Sequence, residues 1–477
     1  MIDFLKIMKP YNPWWKKTTK KSILIPDFRR PVFYQIRDDI NKIPQILSII
    51  GPRRIGKSTL LFQLIQHLID SGTSPERILY YSFDDPTLFS QSIEIEKLLE
   101  WIIQKLSGDD NSGPSYLFLD EIQRLERWEL YLKKYYDLKF PVRIIISGSA
   151  SSPIFKKSRE SLLGRIKDYH LLPFSFREYF LHELRSEPSL EAEVINLYEN
   201  HQYANLQASE NLLFPCLKKS DFPSPKLQIR AEKALNTYFL EGGFPEVWQL
   251  PGLISKQDYL FDNQVKKVIY EDLVLAAEFR KPELLKRFYI SLLEVPGREM
   301  NLSTISQESG ISIQQIEKYF PLLEMTDLIY HIEKFRVSPL RVRRGMMKFY
   351  LVDLALRNAV LRLNESLLLQ PNIVGLYAEN LVFLALKKWR NTIQIDYFRD
   401  RASEIDFIVH FGVKKFLPVE VKYRSQILIR DFVACRNFVQ KSEHSIQPVV
   451  VTKKWKDFGL RENTVLIPLP LFLLLFD

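Results

Sequence analysis

The sequence predicts a multidomain α/β protein, and three observations carry that expectation. At 477 residues the chain is about three domains long by ordinary domain sizes. Its first third alternates short apolar runs of β composition with stretches of helical periodicity, the pattern of a parallel sheet. One of those apolar runs ends in Gly51-Pro-Arg-Arg-Ile-Gly56-Lys57-Ser58, a turn that belongs between a strand and a helix.

Each element follows from local pattern. Gln45–Ile50 reads as a buried strand, and Leu60, Leu61, Leu64, Ile65 and Leu68 then recur at helical spacing. Ile78–Phe83, Tyr116–Leu119 and Val142–Ile146 read as three more strands, with a loop rich in Asp, Ser and Gly at Ser107–Ser115. After Pro173 strand alternation stops. Residues from about Phe174 to Ile290 read as helical, broken by a proline-marked irregular insertion at Ser186–Pro225. Residues 301–349 read as helix, turn and helix followed by basic β-like segments. From Gly375 a helix and then strands form a second α/β unit, with Val465–Phe476 as a buried closing strand.

Composition excludes several classes. Hydrophobic content of 46% with 26% charged residues is that of a globular chain, not a disordered one. Two cysteines, Cys216 and Cys435, leave no disulfide framework or cysteine zinc site and suit a reducing compartment. No stretch has the length of a membrane span or the layout of a signal peptide, so a cytoplasmic protein without a membrane partner is expected. Lys and Arg total 67 against 57 for Asp and Glu, a surplus of +10 that permits a polyanionic partner. The histidines His67, His170, His331 and His410 have no metal-ligand spacing.

Gly51–Ser58 fits the GxxxxGK[ST] phosphate loop in full. Its glycines let backbone N–H groups close around phosphate, and the following helix N-terminus adds positive potential. Gly51, Pro52, Arg53, Arg54, Ile55, Gly56, Lys57, Ser58 and Thr59 are therefore expected to bind ATP. Lys57 would reach the β and γ phosphates, and Ser58 would ligate Mg²⁺. Leu117-Phe118-Leu119-Asp120-Glu121 delivers two acids at the end of an apolar strand, where ligands bind in open parallel sheets. Asp120 would hold the Mg²⁺ and Glu121 would polarise the attacking water. Ser147-Gly148-Ser149 ends a further strand. Either serine could sense the γ-phosphate, as a polar residue does at this point in AAA+ ATPases, or the pair could simply end the strand in a turn. Each of Arg165 and Arg159 could have a plain surface role, or could supply charge to the transition state in cis or from a neighbouring subunit. The latter needs a homo-oligomer assembled through the ATPase domain.

Six segments occur in a fixed order: Asn12-Pro13-Trp14-Trp15, the phosphate loop, Leu119–Glu129, Ser147–Ser151, Gly164–Phe180 and Glu241–Trp248. In this the chain resembles prokaryotic AAA+-type P-loop ATPases that carry a restriction-endonuclease-like C-terminal domain of unknown function. The resemblance spans nearly the whole chain except the region of 186–225. It implies a P-loop NTPase core over 1–173 with an N-terminal extension, and a helical lid over 174–295. A winged helix over 296–350 and a PD-(D/E)xK nuclease-like domain over 351–477 complete the division.

Two further constellations carry function. Ser303–Ser309, Gly310 and Ser312–Met325 form the helix–turn–helix, with Ile305, Ile311, Ile313 and Ile316 facing inward, Ser312 as cap, and Pro321 kinking or shortening the second helix. Lys334, Arg336, Arg341, Arg343, Arg344 and Lys348 follow as a basic wing. Arg341, Arg343 and Arg344 would lie along a DNA backbone; otherwise the domain is a spacer or protein-docking module. In the C-terminal unit, Glu379 lies on an amphipathic helix, ahead of Glu404-Ile405-Asp406 and Glu420-Val421-Lys422. Alternation puts Glu420 and Lys422 on one strand face. Asp406, Glu420 and Lys422 match the PD-(D/E)xK positions, with Glu379 on the preceding helix, and all four are expected to converge in one cleft. The alternative is a surface ion pair between Glu420 and Lys422. The function expected is an ATPase that couples nucleotide to DNA binding or processing. Its rival is a nucleotide-switched regulatory module with an inactive nuclease-like domain.

Overall fold

A computed structural model describes residues 4–15, 25–85, 95–106, 113–149, 162–207, 222–272, 282–294, 296–335, 346–389, 392–401, 403–411, 415–442 and 445–476. The chain divides into two compact units, one built mainly on Met1–Leu172, the other on Pro173–Ile269, Lys281–Glu324 and Leu328–Asp477.

The first unit is a sheet of five parallel strands: β1 (Ile46–Gly51), β2 (Ile78–Ser82), β3 (Ser115–Asp120), β4 (Val142–Ser149) and β5 (Ile166–His170), in the order β2-β3-β4-β1-β5. β1 and β3 are buried along their whole length, as central strands covered on both faces must be, so their sequences read as unbroken apolar runs. β5 escaped the sequence reading because Ile-Lys-Asp-Tyr-His carries its polar groups outward on an edge. There Lys167 and Tyr169 both bind the Asp39 carboxylate, at 2.5 and 2.6 Å. The other edge, β2, is closed by the N-terminal segment. The Asn12 side chain accepts from the Tyr80 N–H at 2.7 Å and donates to the Tyr80 carbonyl at 2.9 Å, and the Trp14 and Trp15 indoles both donate to the Ile78 carbonyl. An edge strand left open would invite pairing with another chain.

The second unit begins with helices Phe176–Glu183, Pro188–Gln207, Pro225–Glu241, Gly252–Leu260 and Pro282–Glu294. Ser175 caps the first of them in a reciprocal box with Glu178. The insertion expected to be irregular is in its first part the continuous helix Pro188–Gln207. Leu190, Val194 and Leu197 form its buried stripe, and its Glu193 carboxylate receives the Ser224 N–H and hydroxyl that open the next helix.

Next come β6 (Glu299–Met300), helices Leu302–Ser309 and Ile313–Met325, β7 (Ile329–Glu333) and β8 (Met347–Leu351), with the strands antiparallel in the order β6-β8-β7. Gly310, at φ 69°, ends the first helix in the left-handed conformation that a turn of this kind requires. Pro321 does not shorten the second helix, which runs on to Met325. Ile305, Ile311 and Ile316 are buried as expected, but Ile313, at the helix start, is exposed.

Helices Leu354–Leu361 and Pro371–Lys388 lead into a six-stranded mixed sheet: β9 (Thr392–Arg399), β10 (Glu404–Phe411), β11 (Lys415–Lys422), β12 (Val449–Thr452), β13 (Gly459–Arg461) and β14 (Thr464–Pro468), in the order β13-β14-β12-β11-β10-β9. Only the first part of the apolar C-terminal run is a strand. Past Pro468 it becomes the helix Leu469–Leu475, every residue of which is buried. Its two prolines sit where they are tolerated, one capping and one in the first turn, and burial on all sides explains the uniform apolarity. β7 does not stop at its own sheet: Phe335 just beyond it donates its N–H to the Tyr397 carbonyl of β9 at 2.7 Å, and Lys334 bridges to Tyr397. The three-stranded and six-stranded sheets thus share one body.

Candidate nucleotide site and carboxylate cluster

The phosphate loop leaves β1 at its C-terminal end and enters the helix Lys57–Asp70. Arg54 (φ 58°) and Gly56 (φ 97°) adopt the left-handed region that lets the loop curl. Gly51 is required for a different reason: a Cβ there would lie 2.0 Å from the Leu171 carbonyl oxygen. The buried Lys57 amine donates to the carbonyls of Gly51 and Pro52 at 3.1 and 2.8 Å, so the loop holds its own lysine inside its curve.

β3 brings Asp120 to the same end of the sheet. Ser58 Oγ donates to Asp120 Oδ2 at 2.6 Å and Tyr80 Oη to the same oxygen at 2.9 Å. Oδ1 receives the Glu121 N–H at 3.0 Å and the Ser147 hydroxyl. Burial, and then the Asp120 charge, push the Tyr80 phenol well above its ordinary range, so it stays a donor to the carboxylate. Ser147 reaches Asp120 because β4 lies between β1 and β3 in the sheet. Ser149 is buried opposite Gly51 in the β1–β4 register. Oxygen donors from Ser58 and Asp120 side by side fit a hard divalent cation such as Mg²⁺. Glu121 sits in the left-handed region at φ 51°, an uncommon conformation for a residue with a side chain, and its carboxylate accepts from the Gln123 amide.

Arg165 lies away from its own chain's phosphate loop, which sets aside a role in cis and leaves the plain surface reading or a role from a neighbouring subunit. It immediately precedes β5, and its carbonyl accepts the Ile46 N–H where β1 begins, at the end of the sheet away from the phosphate loop. Its guanidinium is held there by both oxygens of Asp137, at 2.7 and 3.3 Å. Arg159 lies outside the described residues, as do Arg341, Arg343 and Arg344.

In the second unit Glu379, Asp406, Glu420 and Lys422 come together. β10 and β11 pair antiparallel with Phe407 opposite Val419. One step further on, that register sets Asp406 across from Glu420 and Glu404 across from Lys422, all on one face. The Asp406 N–H donates to Glu420 Oε2 at 3.2 Å, the Val421 N–H donates to Asp406 Oδ2 at 2.8 Å, and Lys422 donates to Glu420. Glu379, on the helix Pro371–Lys388, receives the Tyr350 hydroxyl at 2.8 Å.

The residue missed by sequence reading is Lys348. Assigned to the wing, it is instead buried on β8, its amine 2.9 Å from Glu404, 3.5 Å from Glu379 and 3.6 Å from Asp406, with the Tyr397 ring beside it. The signal was there: a lone lysine in Met-Lys-Phe-Tyr-Leu, two residues from Tyr350 and so on the same strand face. Burial works against its charge, yet Glu379, Asp406 and Glu404 together raise its pKa. Burial, then Asp406, pushes Glu379 up to about 7 and Glu420 up to about 8. The cluster is an enclosed ion network, most open to solvent at Glu404. Among the described residues no group of three or more His, Cys, Asp or Glu is arranged to hold a metal ion. The donor set does not fit a divalent ion, because an ammonium already stands among the carboxylates.

Comparison with known proteins bears on the unit that carries the phosphate loop. Residues 44–180 match the family model described as AAA domain, while 232–367 and 374–472 match two models described as domains of unknown function (DUF8612 and DUF4143). The phosphate-loop unit is thus an AAA-type ATPase domain. Among relatives, an uncharacterized protein of Methanocaldococcus jannaschii is 25% identical over 395 residues, covering 81% of this chain and 76% of that one. An uncharacterized protein of Haemophilus influenzae is 25% identical over 383 residues, covering 79% and 82%. The Walker-type ATPase of Pyrococcus abyssi has a TM-score of 0.38 at 14% identity, covering 70% of this chain and 96% of that structure. No helix among the described residues is long and apolar enough to cross a membrane.

Proposed function

We propose that this protein is a Mg²⁺-dependent ATPase whose nucleotide state is coupled to DNA binding through a winged helix and a nuclease-like C-terminal domain. The observation that carries the ATPase half is the closure of Ser58 on Asp120, with Glu121 next in sequence and Ser147 on the same carboxylate. Ser58 and Asp120 would hold the ion, which neutralises charge on the β and γ phosphates when bound. Lys57 would bind the phosphates from inside the loop. Glu121 would orient and deprotonate the attacking water, and Ser147, tied to Asp120, would register whether the γ-phosphate is present.

Two observations support the DNA-binding half. The order helix, strand, helix, helix, strand, strand, with its three strands antiparallel, is that of a winged helix. The segment between β7 and β8 contains Arg336, Arg341, Arg343 and Arg344 with no acidic residue, the charge that a phosphate backbone attracts.

The test is ATP turnover with and without DNA. Lys57→Ala should abolish nucleotide binding. Glu121→Gln should keep it and lose ~10²–10⁴-fold in turnover, the range for removing a general base. Turnover of Glu121→Gln at the wild-type rate would remove Glu121 from the role, and a rate indifferent to DNA of every form would remove the coupling.

A further inference from the structure

We infer that the Lys348 ammonium is the resident cation of the C-terminal carboxylate cluster, standing among Glu379, Glu404 and Asp406 where a divalent ion would have to displace it. The cluster is on this account metal-free. The inference concerns this cluster alone and stands or falls independently of what the ATPase site hydrolyses.

The charges balance without a metal. Four carboxylates converge, Glu379, Asp406 and Glu420 largely buried and Glu404 at the opening, and such a group needs compensating positive charge. Lys348 faces three of them and Lys422 the fourth, while Arg399 approaches Glu404 from β9 at 3.6 Å. Burial raises Glu379 and Glu420, so both carboxyls take up protons more readily and the negative charge of the group is further reduced. Two further donors reach the cluster: the Tyr350 hydroxyl donates to Glu379, and the Val421 N–H to Asp406.

Geometry makes the lysine hard to displace. Lys348 enters from β8, a strand paired on both sides, and its neighbours Phe349 and Tyr350 are fully buried. Tyr350 stacks on Phe383 of the helix that carries Glu379, with ring centroids 4.4 Å apart. The backbone that carries the amine is therefore held in place by strand pairing and by packing on both sides. The same ion pairs tie the three-stranded sheet to the six-stranded one, beside the link from Phe335 to Tyr397. A lysine buried among acids is thus also the joint between the two sheets.

The experiment is a Mn²⁺ titration of the full, nucleotide-free chain, read by calorimetry and by thermal melting, with Asp406→Asn as the reference for binding elsewhere. The wild type should show no millimolar or tighter Mn²⁺ uptake that Asp406→Asn lacks. A Mn²⁺ ion bound by the wild type and lost in Asp406→Asn would overturn the proposal. Lys348→Met keeps the chain's length and removes its charge. Its melting midpoint should rise with Mn²⁺ at about 100 times the dissociation constant, by several degrees, and the rise should vanish in the double variant with Asp406→Asn. A folded Lys348→Met that gains no Mn²⁺ site would equally sink it. Should Lys348→Met not fold, the wild-type titration decides alone.

Discussion

The Asp353 carboxylate accepts the Gly243 N–H at 2.7 Å, joining the start of the helix Leu354–Leu361 to a turn 110 residues earlier in the chain. Its second oxygen caps that helix through the Ala355 N–H at 2.8 Å, and a Cβ on Gly242 would lie 2.0 Å from it. The Glu-Gly-Gly-Phe-Pro segment therefore owes both glycines to close approach: Gly243 passes as near to the Phe174 carbonyl, where a Cβ would come within 2.1 Å.

Full burial pushes Asp353 up to about 6, against two backbone N–H groups that favour the charge. A carboxyl with a folded pKa above its unfolded value stabilises the fold below the unfolded value and loses that contribution as pH rises through the folded one. The shift corresponds to roughly 3 kcal/mol. Glu379 and Glu420 extend the same trend to between pH 7 and 8. The melting midpoint should fall as pH is raised from 5 to 8. Asp353→Asn, which cannot titrate and loses one of the two N–H bonds, should melt lower at pH 5 and with a flatter slope below pH 7.

Asn12 is buried and answers both backbone groups of Tyr80 on the open edge of β2. Asn12→Ala leaves a buried N–H and a buried carbonyl unpaired and should cost about 2–4 kcal/mol of stability in the ATPase unit, measured by denaturant unfolding. Loss of that edge should also bring concentration-dependent aggregation, visible by light scattering.

Gly51→Ala drives a methyl into the Leu171 carbonyl, and Leu171 is itself bonded to the loop's strand through its N–H at 2.7 Å. Backbone on both sides cannot yield cheaply. ATP affinity should fall at least about tenfold, with a stability loss of about 1–3 kcal/mol. An affinity equal to wild type would show that the loop tolerates the shift.

Arg165 and Lys57 sit at opposite ends of the sheet. Arg165→Ala should leave the ATP dissociation constant unchanged, whereas Lys57→Ala abolishes binding. Equilibrium titration with a fluorescent ATP analogue separates the two.

Replacing Arg341, Arg343 and Arg344 together should weaken DNA binding alike across sequences. The slope of log affinity against log salt should flatten by about 0.9 for each phosphate that the variant no longer neutralises. Affinity and slope unchanged by the triple substitution would assign the segment to a spacer or protein-docking role.

Much of this architecture is legible in one dimension because its signals are local. A phosphate loop announces itself by glycines that the backbone needs within eight residues. A central parallel strand shows as an unbroken apolar run, and Ser175-Phe-Arg-Glu178 spells its own cap. β5 and the helix Leu469–Leu475 were obscured for opposite reasons: an edge strand keeps polar side chains on its outer face, and a helix buried all round has no polar stripe to set its period. Glu379, Asp406, Glu420 and Lys422 could be named because their order resembles the PD-(D/E)xK pattern, with alternation putting Glu420 and Lys422 on one face.

The sequence by itself determined the chemistry available: a nucleotide loop with its acids, and a set of carboxylates on a helix and two strands. What only the tertiary structure decided is where the charges go. Arg165, next to a strand, is carried to the far end of the sheet because parallel strands all start at one edge. Lys348, one basic residue among six in its segment, is carried inward because β8 pairs between two strands and turns that face toward β10. Side-chain direction along a strand follows from the residue's own position, but what lies opposite depends on pairing between segments distant in the chain. No local pattern records which cation meets which acid.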